Sequence, residues 1–178
     1  VPPDWYKPYE GDNRGVPAMA AFGDGYRHHV TGLVHDDLGF PTEKPNEILS
    51  FQQRLTQKIT RGFPQIMLTK GDRLDDAEVA IIAYGSVARS AMRAVDEARQ
   101  QGVKAGLLQL ITLFPFPRSH VTPILKQCRA VLVPEMNTGQ ISREVQRVNQ
   151  GFCTVVKHNR IDGQFITPDE LYNQLVKL

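Results

Sequence analysis

Residues 131–145, VLVPEMNTGQISREV, place a carboxylate, an amide and a glycine where an apolar run ends and a helical pattern begins. In open parallel α/β sheets, ligands and partners meet the carboxyl ends of the strands, where helix N-termini also point. Helix-start chemistry explains part of this cluster. Asn137 as N-cap with Gln140 three residues on forms a capping box, and Gly139 lets the turn close. Glu135 is not explained that way. A charge at a strand exit must be hydrated or paired, so Glu135 is a candidate for binding or for an interface. On that reading Glu135→Ala leaves the domain folded and weakens assembly with partner subunits.

Two further strand exits carry candidates. Gly85-Ser86 opens a helix whose backbone N–H groups can face an anion. YGSVARS, however, lacks both the G-x-G-x-x-G dinucleotide fingerprint and the Walker A lysine, and an ordinary Ser86 N-cap suffices. The third exit is Thr112-Leu113-Phe114-Pro115. Upstream, Gly23-Asp24-Gly25 has the form of a Mg²⁺–diphosphate loop. It lacks the apolar strand before it and the Asn-Asn that would supply further oxygen ligands, so it is rejected as a cofactor site. His28, His29, His35, Asp36 and Asp37 have metal-capable side chains but not the i,i+4 spacing of H-E-x-x-H. A hydrogen-bonded loop or a contact with another chain fits them better than zinc. No local motif marks a Ser-His-Asp or Cys-His set. The two cysteines, Cys128 and Cys153, cannot supply the four thiolates of an iron–sulfur cluster. They read as buried, reduced thiols of a cytoplasmic protein.

The elements that position these residues divide near Pro64. Residues 1–64 hold six of the twelve prolines by Pro45, which suits an extended segment draped over something else. One amphipathic helix follows in NEILSFQQRLTQKITRG, with Ile48, Phe51, Leu55 and Ile59 on its apolar face. Asn46 caps its start, Gly62 its end, and Phe63-Pro64 stops it. Residues 65–178 alternate strand and helix: QIMLT, EVAIIAYGS, VARSAMRAVDEARQQ, AGLLQLIT, PRSHVTPILKQC, AVLVPE, GQISREVQRVNQG, TVVKHN and TPDELYNQLVKL. The second helix buries Ala88, Ala91, Met92, Val95 and Ala98, and Gly102 closes it. Pro123 interrupts the third. Thr167, Pro168 and Glu170 form a capping box at the last. Short links between alternating elements predict right-handed crossovers and a three-layer, doubly wound, mostly parallel α/β sheet.

Bulk properties exclude several classes. The chain has 178 residues, 41% of them hydrophobic, and a net charge of +2, enough for one ordinary domain with an appendage. No Lys/Arg block marks a nucleic acid or membrane surface. The longest apolar runs are strand-sized, and the N-terminus has no signal-peptide core. The chain does not begin with Met, which reads as processing or excision.

The segments YRHHVTGLVHDDLGFP, AIIAYGSVARSAMRAV, LLQLITLFPFP, VLVPEMNTGQISREV and IDGQFITPDEL, taken in order, resemble the C-terminal part of the α subunit of 2-oxoacid:ferredoxin oxidoreductases, of the 2-oxoglutarate type. TGLVHDDLGFP and PEMNTGQ are the specific parts. The resemblance implies that residues 65–178 are similar to the transketolase C-terminal domain, whose first strand runs antiparallel to the rest. It implies an enzyme that oxidatively decarboxylates a 2-oxoacid, forms acyl-CoA and reduces ferredoxin, using thiamin diphosphate, Mg²⁺ and an iron–sulfur cluster. The pyrimidine-binding domain is absent from this sequence. The chain is therefore expected to be inactive alone, to bind none of these groups by itself, and to hold the β subunit and shape one wall of the site. Matched onto this sequence, Thr31, Gly32, His35, Asp36, Glu135, Asn137, Gly139 and Gln140, with Gly85 and Ser86 at the neighbouring exit, are interface or site-rim candidates. None carries a catalytic role. The alternatives are the equivalent domain of a 2-oxoacid dehydrogenase E1 β subunit and an independent α/β ligand-binding domain.

Overall fold

Val79, Ala80, Ile81, Ile82 and Ala83 are wholly buried, as a strand covered on both faces requires. In the computed structural model, which describes all 178 residues, Val1–Leu178, this run is the centre of a five-stranded sheet. Its strands are β1 (Thr69–Asp72), β2 (Val79–Tyr84), β3 (Ala105–Leu110), β4 (Ala130–Glu135) and β5 (Thr154–Asn159). The order is β1-β3-β2-β4-β5. The β3-β2-β4-β5 pairs are parallel, and β1 runs antiparallel to β3 at the edge. The helices are α1 (Pro45–Ile66), α2 (Val87–Gln100), α3 (Arg118–Gln127), α4 (Gln140–Asn149) and α5 (Pro168–Leu175), with a 3₁₀ turn at Pro3–Trp5. The chain divides into two compact units, Val1–Gln65 and Ile66–Leu178.

Alternation along the strands splits the second unit's core into two faces. Val79, Ile81, Leu107 and Leu132 pack against α2 and α5, with Ala91, Val95, Leu171 and Leu175 among the buried partners. Ala80, Ile82, Leu108, Val131 and Val133 pack against α3 and α4 through Val121, Leu125, Val145 and Val148. Helices on both faces of a mostly parallel sheet give the doubly wound, three-layer fold expected from the sequence.

Five local readings are corrected. The first helix does not stop at Gly62 or start by an Asn46 cap. It runs from Pro45 to Ile66 with Pro64 inside, because Gly62 and Phe63 are half-buried and continue the stripe of Phe51, Leu55 and Ile59. Pro64 removes only one backbone donor near the end. The first strand consequently begins at Thr69, four residues beyond the predicted start, and runs on to Asp72, past the end of QIMLT. Ser86 makes no side-chain cap. Its backbone is already helical (φ −64°, ψ −33°), whereas a capping residue needs an extended one. Met92 is exposed rather than part of the α2 stripe, which Val87 and Ala94 complete. Pro123 likewise forfeits one hydrogen bond, and α3 continues through it because Val121, Ile124 and Leu125 are held on the sheet.

The α5 start forms as read. Thr167 Oγ1 accepts from the Glu170 N–H at 3.3 Å, Glu170 Oε2 accepts from the Thr167 N–H at 2.8 Å, and Arg160 Nη2 donates to Glu170 Oε1 at 2.7 Å. The Thr167 N–H, then the Arg160 guanidinium and the Thr167 hydroxyl, hold the Glu170 carboxyl below its ordinary 4.5 against the opposing effect of burial. A depressed carboxyl stabilises the fold above the unfolded value and loses that contribution as pH falls through the folded one. Equilibrium denaturation of the wild type is therefore expected to be insensitive to this group above about pH 5 and to weaken below about pH 4.5. In Glu170→Gln that part of the acid sensitivity is expected to vanish. No helix is long and apolar enough to cross a membrane.

Candidate functional site

The strand order places the β2–β4 pair at the point where the chain reverses its direction of winding, and their carboxyl ends, Tyr84 and Glu135, share a crevice. Such crevices are where doubly wound folds take ligands. Here the chain fills the crevice itself. Glu135 is completely buried. Its Oε1 accepts from the Ile141 N–H and its Oε2 from the Ser142 N–H, both at 2.8 Å. Tyr84 donates its hydroxyl to Glu135 Oε1 at 3.1 Å, and Asn137 Nδ2 donates to that hydroxyl oxygen at 2.7 Å. Asn137 Oδ1 accepts from the Gly139 and Gln140 N–H groups at 2.7 and 3.1 Å. The first four donors at the start of α4, which have no partner within a helix, are all satisfied by these two side chains.

Electrostatics favour this arrangement. A helix N-terminus carries partial positive charge that stabilises a carboxylate, and N–H groups on an ionised oxygen make strong hydrogen bonds. Burial and then the Glu135 charge push the Tyr84 hydroxyl above its ordinary value of 10.0, against a smaller opposing pull from Asn137. Tyr84 therefore stays a proton donor. Gly139 is required by both conformation and space. Its φ is +93°, and a Cβ there would lie 2.6 Å from Ser142 Oγ and 2.7 Å from Asn159 Nδ2.

Two expectations for this cluster are corrected. Only half of the Asn137–Gln140 capping box is made: Asn137 Oδ1 accepts from the Gln140 N–H, but no Gln140 side-chain bond returns to Asn137, and Gly139 takes the cap position. Asn137 acts from two residues earlier. Glu135 does not present its charge to a neighbour: the carboxylate is spent inside the fold, so its removal is expected to cost stability. Of the predicted rim, Gln140 is exposed, Asn137 is half-buried and Gly139 is buried. Gly85 and Ser86 are exposed at the β2 exit.

The remaining candidates lie in the first unit. Asp36 Oδ1 accepts from the N–H groups of Leu38 and Phe40 at 2.9 and 3.0 Å, and Thr31 Oγ1 accepts from the Leu33 N–H at 3.4 Å. Gly32 is exposed. His35 is buried between Tyr9, at 3.6 Å between ring centres, and Phe51, at 4.8 Å. His28 meets Tyr6 and His29 stacks on Phe40. Gly39 holds this loop closed: at φ +91° a Cβ would fall on the His29 carbonyl oxygen. No group of three metal-capable side chains comes together. Cys128 is buried, its thiol pushed up to about 11 by burial and the nearby Cys153, so it is a poor nucleophile. Cys153, read as buried, is half-buried.

Sequence reasoning missed two features of this edge. One is the Tyr84 hydroxyl, which only the β2–β4 pairing brings to Glu135. The other is the exposed apolar character of the outer exits, of which the sequence had singled out only Thr112-Leu113-Phe114-Pro115. After β3, Ile111 and Phe114 stand exposed, Phe114 by 79%; after β5, Ile161 and Phe165 do, Phe165 by 71%. The proline-flanked LFPFP turn, with its cis Phe114–Pro115 bond, was the available signal for the first pair.

Residues 77–171 match the model of the pyruvate:ferredoxin oxidoreductase core domain II family, and the chain belongs to that family. Within it, the chain is a homologue of the 2-oxoglutarate synthase subunit KorA. It is 40% identical over 179 residues to that subunit from Methanothermobacter thermautotrophicus, covering 100% of this chain and 48% of the relative. It is 39% identical over 167 residues to the one from Methanocaldococcus jannaschii, covering 93% and 44%. The chain thus spans about half the length of the curated relatives it matches. Its fold is similar to a solved 2-oxoglutarate:ferredoxin oxidoreductase from Magnetococcus marinus, a structure with 2-oxoglutarate, coenzyme A and succinyl-CoA bound (TM-score 0.79, 24% identity, 97% of this chain and 30% of that one). It is also similar to an inactive split-gene transketolase tetramer (TM-score 0.52, 20% identity, 61% and 40%).

Proposed function

We propose that this chain is the non-catalytic, transketolase C-terminal-like part of the α subunit of a cytoplasmic 2-oxoacid:ferredoxin oxidoreductase acting on 2-oxoglutarate. Its carboxyl edge docks against the subunits that hold the reacting groups, the β subunit among them, and ferredoxin is reached through the holoenzyme. One observation carries the reading. In the crevice where this fold takes ligands, every free donor of α4 is already bonded to Asn137 or Glu135, while Ile111, Phe114, Ile161 and Phe165 stand exposed on either side. An open helix terminus there would hold a phosphate. A closed one flanked by apolar side chains is a wall with a docking rim.

The residues present do not fit the holoenzyme's cofactors. Two cysteines cannot hold a cluster, and the closed α4 terminus leaves none of its own backbone donors for the diphosphate of thiamin diphosphate or coenzyme A at this edge. These groups, with Mg²⁺, belong to other parts of the assembly. Of the rim residues proposed from the sequence, Gly85, Ser86 and Gln140 are exposed at this edge, with Asn137 and Gly139 setting the start of α4; in the first unit Gly32 is exposed and Thr31 half-buried.

The test is assembly. Phe114→Asp with Phe165→Asp, introduced in the whole α subunit, changes two exposed side chains and is expected to leave the melting temperature within a few degrees. Co-purification with the β subunit is expected to fall at least tenfold, because charges would be buried at a docked surface. Wild-type recovery of the β subunit would refute the docking role of this edge.

A further inference from the structure

In the first unit, α1 sets Arg54, Lys58 and Arg61 on one face at i, i+4 and i+7. Like charges at that spacing destabilise a helix. The macrodipole does not account for them, since the last turn carries no basic residue. With Arg14 they line a cavity of about 270 Å³ whose only carboxylate is Asp12. That carboxylate is occupied by Arg14 Nη2 at 3.0 Å and by the N–H groups of Arg14 and Val16. Arg54 Nη1 donates to the Gly15 carbonyl at 3.1 Å, which fixes its guanidinium at the cavity wall. Lys58 and Arg61 have no carboxylate partner, so the cavity has three cations in excess of its acid.

A second cavity of about 410 Å³ adjoins it, sharing Ser50 and Arg54. Its character is opposite. Asp36, Asp37 and Glu47, the last already bonded to Thr42 and Lys44, line it together with Lys7, Asn46, His35 and Phe51, and Arg54 lies 5.4 Å from the centre of the Phe51 ring. His35, 8% exposed, has its Nδ1 buried without a hydrogen-bond partner, a state that costs free energy until something bonds it. The helix therefore lies along a site that is cationic at one end and, at the other, aromatic and rich in hydrogen-bond acceptors.

We infer that these adjoining cavities form a binding site for an adenine nucleoside diphosphate. The diphosphate sits among Lys58, Arg61 and Arg54, and the base lies by Phe51, with its exocyclic amine toward Asp37 and Asn46. Guanidinium groups bind phosphate oxygens with charge-assisted hydrogen bonds. The carboxylates of the larger cavity repel phosphate and so set the ligand's direction. The combined space is that of an ordinary small-molecule site. All of its lining residues belong to the first unit, and its test does not depend on the docking reading.

Isothermal titration of the full chain with ADP, adenosine and pyrophosphate decides it. ADP is expected to bind at least tenfold more tightly than either fragment and to raise the melting temperature, as any ligand of the native state does. Lys58→Gln with Arg61→Gln is expected to weaken ADP by about tenfold or more and to leave adenosine unchanged. Without ligand this variant is expected to melt no lower than the wild type, because a repulsion has been removed. Asp37→Ala is expected to weaken ADP and adenosine alike. Equal affinities for ADP and adenosine, or for ADP and pyrophosphate, would overturn the site, as would wild-type ADP affinity in the double variant.

Discussion

Glu135→Ala is expected to lower the stability of the second unit by about 2–4 kcal/mol, the cost of leaving buried helix donors without a partner. The variant strands the buried Ile141 and Ser142 N–H groups, at a site closed to water, and removes the acceptor of the half-buried Tyr84. Glu135→Gln keeps one carbonyl oxygen and is expected to lose about half as much. Urea denaturation measures both. A change below about 0.5 kcal/mol in the alanine variant, the range of ordinary surface substitutions, would show that water or another group caps α4. The same variants separate stability from assembly, since the carboxylate touches nothing outside its own chain.

Gly139→Ala is expected to cost about 2–4 kcal/mol. The left-handed conformation alone accounts for about 1–2 kcal/mol in a residue with a Cβ. The remainder comes from contacts: the new methyl would lie within 2.7 Å of Ser142 Oγ and Asn159 Nδ2, in a loop that cannot move without breaking the Asn137 bonds to Gly139 and Gln140. Relief is expected in the double variant Gly139→Ala, Ser142→Ala, which removes one of the two clashes. A single variant as stable as the wild type would mean that the 136–139 loop has a second conformation of equal energy.

The contrast between the two ends of α5 and α4 shows what the sequence can carry. Thr167 and Glu170 are three residues apart, so their capping box is a local event and was readable. The true partners of Glu135 lie six and seven residues on, across a turn, and the nearer pair of Asn137 and Gln140 offered a plausible local substitute. The buried strands β2 and β4 were legible because continuous apolar runs of strand length have few alternatives in this alternation. β1 was not. Its residues, Thr69–Asp72, carry no apolar pattern, and their strand conformation is supplied by pairing with β3. Ile66, Met67 and Leu68 looked more strand-like, but Ile66 ends the helix. The family was legible from TGLVHDDLGFP and PEMNTGQ, while the self-closed crevice that defines this edge was not, because Tyr84 and Glu135 are brought together only by the sheet.

The most direct test of the central claim is 2-oxoglutarate-dependent reduction of ferredoxin in the presence of coenzyme A and thiamin diphosphate. It compares the purified chain alone with the chain supplied with the rest of its α subunit and the β subunit. No turnover above background is expected from the chain alone, and activity is expected only when the other parts are added. Ferredoxin reduction by the unaided chain would contradict the account.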